Sequence, residues 1–173
     1  MATARDMDEK ALISFLDEYQ IDYKRFDHPP VYTVEDVNRL LPDVPAVSIK
    51  NLFLRDGRGK RHFLVVMPGE KRLDLKTLGK STGIGRISFG SPDRLQRFLG
   101  VTPGAVTLLA VINDPEGAVE VLIDETLWET AATFQFHPMV NTSTLVFSKK
   151  SVEQFLAATG RSFEVVDVPS PPG

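Results

Sequence analysis

The apolar residues of this chain fall in short runs, each stopped by a glycine, proline or Asn/Asp turn, and none approaches the length of a membrane span. Helical and strand patterns therefore alternate, with no repeat and no long linker. Leu12, Ile13, Phe15, Leu16 and Tyr19 share one face of a helix over residues 8–20. A strand around Tyr23–Phe26 stops at His28-Pro29-Pro30, and Thr33 caps a second helix, with Asp36 in its first turn and Pro42 and Pro45 beyond its end. Residues 47–55 and 62–67 read as strands joined by the turn Asp56-Gly57-Arg58-Gly59. Asp74 opens a helix to about Lys80, and the strand RISF precedes a helix with Ser91 as cap, Pro92 at its first position and Gly100 as its stop. Val106–Ile112 and Ala118–Ile123 are expected as two further strands around the turn at residues 113–117. Strands near Phe134 and Leu145 flank His137-Pro138, Ser151 is expected to cap a helix ended by Gly160, and FEVVDV is a last strand. Strands outnumber helices and several are joined by hairpins. The expectation is one compact α/β or α+β domain over residues 1–173, with a mixed, curved sheet.

Composition narrows the chemistry. A chain of 173 residues, 42% hydrophobic and 25% charged, can bury a core without a metal or disulfide staple. The absence of cysteine excludes disulfides, thiolate nucleophiles and cysteine-based metal sites. The N-terminal MATARDMDEK has charges but no apolar run behind them, so a soluble, cytoplasmic protein is expected. Net charge is −3, yet residues 50–97 hold 12 Lys/Arg against 4 Asp/Glu. A positive middle on an acidic chain suits a phosphate-bearing partner over a limited patch, although solvated charges on a hairpin and a helix face would give the same count. No helix-turn-helix or basic arm points to DNA.

The familiar catalytic signatures are missing: STGIGR is neither a P-loop nor a Rossmann turn, and there is no G-x-S-x-G or H-E-x-x-H. His28, His62 and His137 lie far apart in the chain, no carboxylate has metal-ligand spacing beside them, and no cofactor is expected. Three weaker features remain. Lys50 interrupts a strongly apolar strand, either on its solvent face or as a cation anchoring a phosphate, with Asn51 beside it offering a donor and an acceptor. Gly100-Val101-Thr102-Pro103-Gly104-Ala105 is a helix stop and turn, where Gly104 would let a ligand approach backbone N–H groups. His137 and Asn141 sit in a loop between strands and could line a polar pocket, or His137 could be structural.

In this order, HPPVYTVEDV, KNLFLRD, RHFLVV, LDLK, ISFGSPDRLQRFLGVTPGAV, INDPEG and FHPMVNTSTLVFS resemble the YbaK/prolyl-tRNA-synthetase-associated superfamily, from about residue 10 to 167. Within it the pattern is most similar to the free-standing Ala-tRNA(Pro) deacylases. The resemblance implies a mixed, partly barrel-like sheet surrounded by helices. It also implies hydrolysis of the ester joining an amino acid to the terminal adenosine of tRNA. Carried over by position, Lys50 holds the tRNA 3′ end, Gly104 and Ala105 begin the oxyanion loop, and His137 and Asn141 line the amino-acid pocket, with Asn51 and Phe53 as further substrate contacts. The expected partners are the acceptor end of tRNA(Pro) and, for docking, prolyl-tRNA synthetase. The pattern departs at Leu108, where the family's G-x-x-x-P loop has proline. Two alternatives stay open: removal of cysteine or another small residue in place of alanine, and a non-catalytic tRNA-binding module.

Overall fold

A computed structural model describes residues 7–30, 35, 36, 39 and 49–172. The expected Thr33 cap, the prolines Pro42 and Pro45, and the first residues of the strand expected at 47–55 lie outside these residues. Chain order is α1 (Glu9–Glu18), β1 (Lys24–Asp27), β2 (Ile49–Asp56), β3 (His62–Pro68), α2 (Leu75–Thr82), β4 (Ile87–Phe89), α3 (Pro92–Leu99), two 3-10 helices (Pro103–Ala105 and Leu108–Asn113), β5 (Val119–Asp124), α4 (Glu125–Thr130), β6 (Thr133–Phe136), β7 (Ser143–Ser148), α5 (Lys149–Ala158) and β8 (Phe163–Val166).

The strands form two sheets, an antiparallel one in the order β1-β7-β6 and a mixed one in the order β4-β2-β3-β5-β8. In the larger sheet β2 runs antiparallel to both β3 and β4, whereas β3–β5 and β5–β8 are parallel. β3 is central and buried along nearly its whole length, which is why HFLVVM is a continuous apolar run rather than an alternating one. The main core lies on one face of the large sheet. There Phe53, Leu64, Val66 and Val121 meet Phe134, Phe136 and Phe147 of the small sheet, together with Leu12 and Leu16 of α1 and Phe155 of α5. A smaller core on the other face packs Leu54, Phe63, Val65 and Met67 under Leu78 of α2 and Val168.

Local chemistry sets most boundaries. The side chains of Asp8, Asp74 and Ser91 each accept a backbone N–H at the start of their helices, and α3 stops where Gly100 turns left-handed at φ 67°. Three expectations are corrected. Residues 108–113 form a 3-10 helix, not a strand, and every one of them is buried. A short apolar run surrounded on all sides carries no period to distinguish helix from strand, and here Thr107 Oγ1 accepts the Leu109 N–H and favours the turn. β5 consequently has no hairpin partner and pairs parallel with β3 instead. The last long helix is capped by Ser148 rather than Ser151: Ser148 Oγ accepts the Ser151 N–H at 3.0 Å, and the Ser151 hydroxyl donates to Asp22 O. Helix α4, over ETLWET, had no periodic signal and is started by Asp124, whose carboxylate accepts the Leu127 N–H.

Two buried carboxylates hold the crossovers. Asp114, 3% exposed, accepts the Ala118 and Val119 N–H groups and faces Arg161, which also donates to the carbonyls of Val119, Val111 and Asp114. Asp124, fully buried at the end of β5, pairs with Lys71 at 2.7 Å. Removing one partner of a buried pair leaves an uncompensated charge, whereas an exposed pair such as Arg25–Asp27 is solvent-screened. Arg161→Ala is expected to destabilise the fold by about 3–5 kcal/mol, against under about 1 kcal/mol for Asp27→Ala, both read from urea unfolding midpoints.

Candidate active site

β2 delivers two of the expected site residues to opposite faces of the sheet. Its alternation puts Ile49, Asn51 and Phe53 toward the main core and Lys50, Leu52 and Leu54 toward the smaller one. Lys50 is half-buried, opposite Met67 of β3. Burial, and secondly the nearby charge of Arg72, lower its pKa from the ordinary lysine value. Arg72 was not singled out from the sequence. It is exposed in the segment after β3, which Lys71 pins to buried Asp124 and the Asp74 N–H ties to Pro169 O. Two cations thus face one region, which suits a phosphate.

Asn51 acts on the other face. Its Oδ1 accepts the N–H of Leu108 at 2.9 Å, fastening the end of the glycine loop to β2. Leu108 is the first residue of the buried 3-10 helix, and Thr107 precedes it as the cap. Proline suits such a first position because its missing N–H would have no helical partner. A leucine there keeps that N–H, and Asn51 supplies the acceptor for it. The departure at Leu108 is therefore compensated by a hydrogen bond.

The loop itself begins in a short 3-10 turn, Pro103–Ala105, in which Gly104 is exposed. A Cβ on Gly104 would meet nothing within 4 Å, so the space over this backbone is open to a ligand. Phe53, by contrast, is only 5% exposed, stacked on His62 with ring centroids 5.7 Å apart, and its ring occupies the place that a Cβ on Gly90 would take.

His137 and Asn141 lie half-buried in the β6–β7 loop, which turns left-handed at Met139 (φ 65°). Nothing in the chain order connects the histidines, yet the fold brings His28 next to His137, with ring centroids 6.3 Å apart. His28 is fixed by its N–H to Thr142 O, by a ring contact from Nε2 to Thr144 Oγ1 at 2.8 Å and by one from Nδ1 to Pro29 O. Burial, and then His28, lower the pKa of His137, which favours its neutral form over the cation.

Asn113, fully buried, joins these pieces. Its Nδ2 donates to Leu99 O at the start of the glycine loop and to Met139 Sδ in the histidine loop, while its Oδ1 accepts the Met7 N–H. Asn113 and Asn51 thus connect the loop flanks, the histidine loop and β2, a set that offers exposed backbone at Gly104 and neutral polar groups, with the half-buried Lys50 on the opposite face of β2. Such a set can position an activated ester and stabilise a developing oxyanion without a side-chain nucleophile.

The comparisons with known proteins agree with that chemistry. Residues 28–155 match the model of the aminoacyl-tRNA editing domain. The prolyl-tRNA editing protein ProX of Acetoanaerobium sticklandii is 40% identical over 164 residues, 94% of this chain and 99% of that protein. The mouse prolyl-tRNA synthetase associated domain-containing protein 1 is 31% identical over 137 residues, 78% of this chain and 80% of its own. A crystal structure of a candidate trans-editing enzyme for prolyl tRNA synthetase superposes with a TM-score of 0.68 at 18% identity, covering 94% of this chain and 97% of that one, which shows the shared fold. The class is that of hydrolases acting on aminoacyl-tRNA esters. The chain belongs to the aminoacyl-tRNA editing domain family, within the YbaK/prolyl-tRNA-synthetase-associated superfamily.

Asn51→Ala is expected to cost about 1–3 kcal/mol in chemical unfolding, because the Leu108 N–H loses its acceptor on the way into the core. Adding Leu108→Pro removes that donor, so the double variant should lose less than the two single losses added together. Full additivity would show that the bond does not hold the loop.

Proposed function

We propose that this chain is a trans-acting deacylase that hydrolyses mischarged Ala-tRNA(Pro), and that residues 1–173 are a single editing domain working in the cytoplasm, where prolyl-tRNA synthetase is a docking partner. The observation that carries this reading is the 40% identity to a prolyl-tRNA editing protein along nearly the full length of both chains. The site supports it. Lys50, with Arg72 beside it, anchors a phosphate of the tRNA 3′ end, and Asn51 and Phe53 hold the strand and loop on which the substrate rests. The backbone N–H of Gly104 faces the ester carbonyl, whereas the Ala105 N–H, expected beside it, donates to Thr102 O at 2.9 Å and acts by holding the turn, while His137 and Asn141 line the amino-acid pocket.

The reaction needs little else, since the aminoacyl ester is already activated. A bound water adds to the ester carbonyl, giving a tetrahedral oxyanion that the loop amides stabilise. Collapse of that intermediate breaks the carbon–oxygen bond to the ribose, whose oxygen leaves with the proton that the water released. The products are free alanine and deacylated tRNA. The fidelity logic is a double sieve: a synthetase pocket shaped for proline cannot strongly exclude smaller alanine, and a second, smaller pocket accepts alanine and rejects proline.

Incubation with Ala-, Cys- and Pro-tRNA(Pro) tests the reading. Selective loss of alanine is expected, with kcat/KM down by about a hundredfold or more in Lys50→Ala. Preferential loss of cysteine would reassign the substrate, and no cleavage of any ester would leave a binding module. A pH profile gives a second check. A lowered lysine pKa means the anchoring charge is lost at lower pH than for an exposed lysine. After subtraction of spontaneous hydrolysis, activity should therefore decline on an alkaline limb that begins at lower pH than the titration of an exposed lysine, and Lys50→Arg should move that limb upward.

A further inference from the structure

The β2–β3 turn lies at the far end of β2 from Lys50, and cations from three neighbouring segments join its own. Arg58 and Lys60 belong to the turn, Arg55 comes from β2, Arg86 from just before β4 and Arg94 from α3. Their proximity is visible at the turn glycines. A Cβ on Gly59 would lie 2.7 Å from Arg94 Nη2 and 3.1 Å from Arg55 Nη1, and one on Gly57 would lie 3.3 Å from Arg86 Cβ. Gly59 adopts φ 67°, so the turn is shaped to let two guanidinium groups converge over it.

These charges are not balanced locally. Among the described residues none of the five pairs with a carboxylate, whereas nearby Arg61 is neutralised by Glu120. Asp56, the acid of the turn, spends its Oδ1 on the N–H groups of Lys60 and Arg61, at 2.8 and 3.0 Å. Arg94 is moreover held in place. It donates to Gly59 O and to Nε2 of His62, each at 3.0 Å, and His62 is itself buried between the rings of Phe53 and Phe98. Burial and the charges of Arg94, Arg97 and Arg55 keep that histidine neutral, free to accept from Arg94. Ordering Arg94 during folding lowers the cost of using it in binding. Guanidinium forks of this kind are suited to phosphate oxygens.

Geometry and neighbours select the anion. Arg55 is five residues beyond Lys50 along β2, about 17 Å at the rise of an extended strand. By strand alternation Arg55 lies on the opposite face of β2 from Lys50, so a polyanion whose reactive end sits at Lys50 reaches the turn by crossing the edge of the sheet, where β4 pairs only with residues 54–56 of β2. Phe89, 58% exposed on the edge strand β4 and adjacent to the Ser88 that pairs with Arg55, adds an aromatic face of the kind that nucleic-acid surfaces interleave with arginine. We propose that the arginine cluster around the β2–β3 turn docks the phosphate backbone of the tRNA acceptor stem while the 3′ ester occupies the site at Lys50. The proposal rests on the editing function above and adds to it the surface that holds the body of the tRNA.

The test uses the full chain and a triple variant, Arg55→Ala/Arg58→Ala/Arg86→Ala, which leaves the buried Arg94–His62 contact in place. Fluorescence anisotropy with an uncharged acceptor-stem minihelix reads the surface without any ester chemistry. Wild type should bind with a steep salt dependence, and the variant should lose about 10–100-fold in affinity, with a log–log salt slope lower by about one for each phosphate contact removed. In deacylation, the variant should lose kcat/KM on aminoacyl minihelix but keep the wild-type rate on an aminoacyl trinucleotide that ends before the stem. Unchanged minihelix affinity and slope would overturn the proposal even if both esters are cleaved. Weakened minihelix binding alongside no ester cleavage by wild type would uphold the surface and sink the editing reading instead. If polyglutamate displaces the minihelix as well as competing RNA does, the surface is one for acidic protein and the assignment to RNA falls.

Discussion

The ion pair between Asp114 and Arg161 is the constraint on which the large sheet depends. It lies where the buried 3-10 helix must give way to β5, far from solvent on every side. A chain turning there exposes backbone carbonyls and amides to an apolar interior, and each unmet group costs free energy. The Asp114 carboxylate takes up two amides ahead of β5, and the Arg161 guanidinium takes up three carbonyls as the chain leaves α5 for β8. Among the buried side-chain polar atoms of the described residues, only the Nε of Arg161 has no partner. Because both β5 and β8 are positioned by this pair, the parallel half of the sheet is held by buried electrostatics rather than by hairpin turns.

The candidate site inherits its rigidity from the same seam. The glycine loop leaves α3 at Leu99 and re-enters the core at Leu108, and both points are clamped, by Asn113 and by Asn51. Between those clamps Gly104 remains open to solvent. An exposed backbone held at both ends can present amides to a developing charge without first having to order itself, which is where preorganised dipoles are worth most. Lys50 projects from the other face of β2, so one strand sets the position of both the cation and the loop.

Much of the fold was legible in the sequence where the signal is local. Asp74, Ser91 and Gly100 end their helices through their own side chains or backbone preferences, and the Asp56–Gly59 turn follows from residue type. The error at residues 106–112 has a physical cause: a segment buried on all sides shows the same apolar face to every direction, so its period is silent. Ser151 was mistaken for the cap because two serines stand three residues apart, and only tertiary contact shows that one of them is engaged by Asp22 O. His28 beside His137, Arg72 beside Lys50 and Arg94 against His62 depend on which strands neighbour one another, which no local pattern encodes.

By itself, then, the sequence determined most element boundaries, the absence of thiol chemistry and, through motifs met in order, the superfamily, and it singled out Lys50, Gly104 and His137 as candidate site residues. Each of these follows from residue type or from short-range spacing. Tertiary structure alone decided that β5 pairs parallel with β3, that Lys50 and Asn51 serve opposite faces of one strand and that Leu108 is held where the family pattern has proline. It also decided that Arg55, Arg86 and Arg94 join Arg58 and Lys60 around one turn. Those outcomes are set by contacts between residues distant in the chain, whose energies exist only once the sheet has closed around its core.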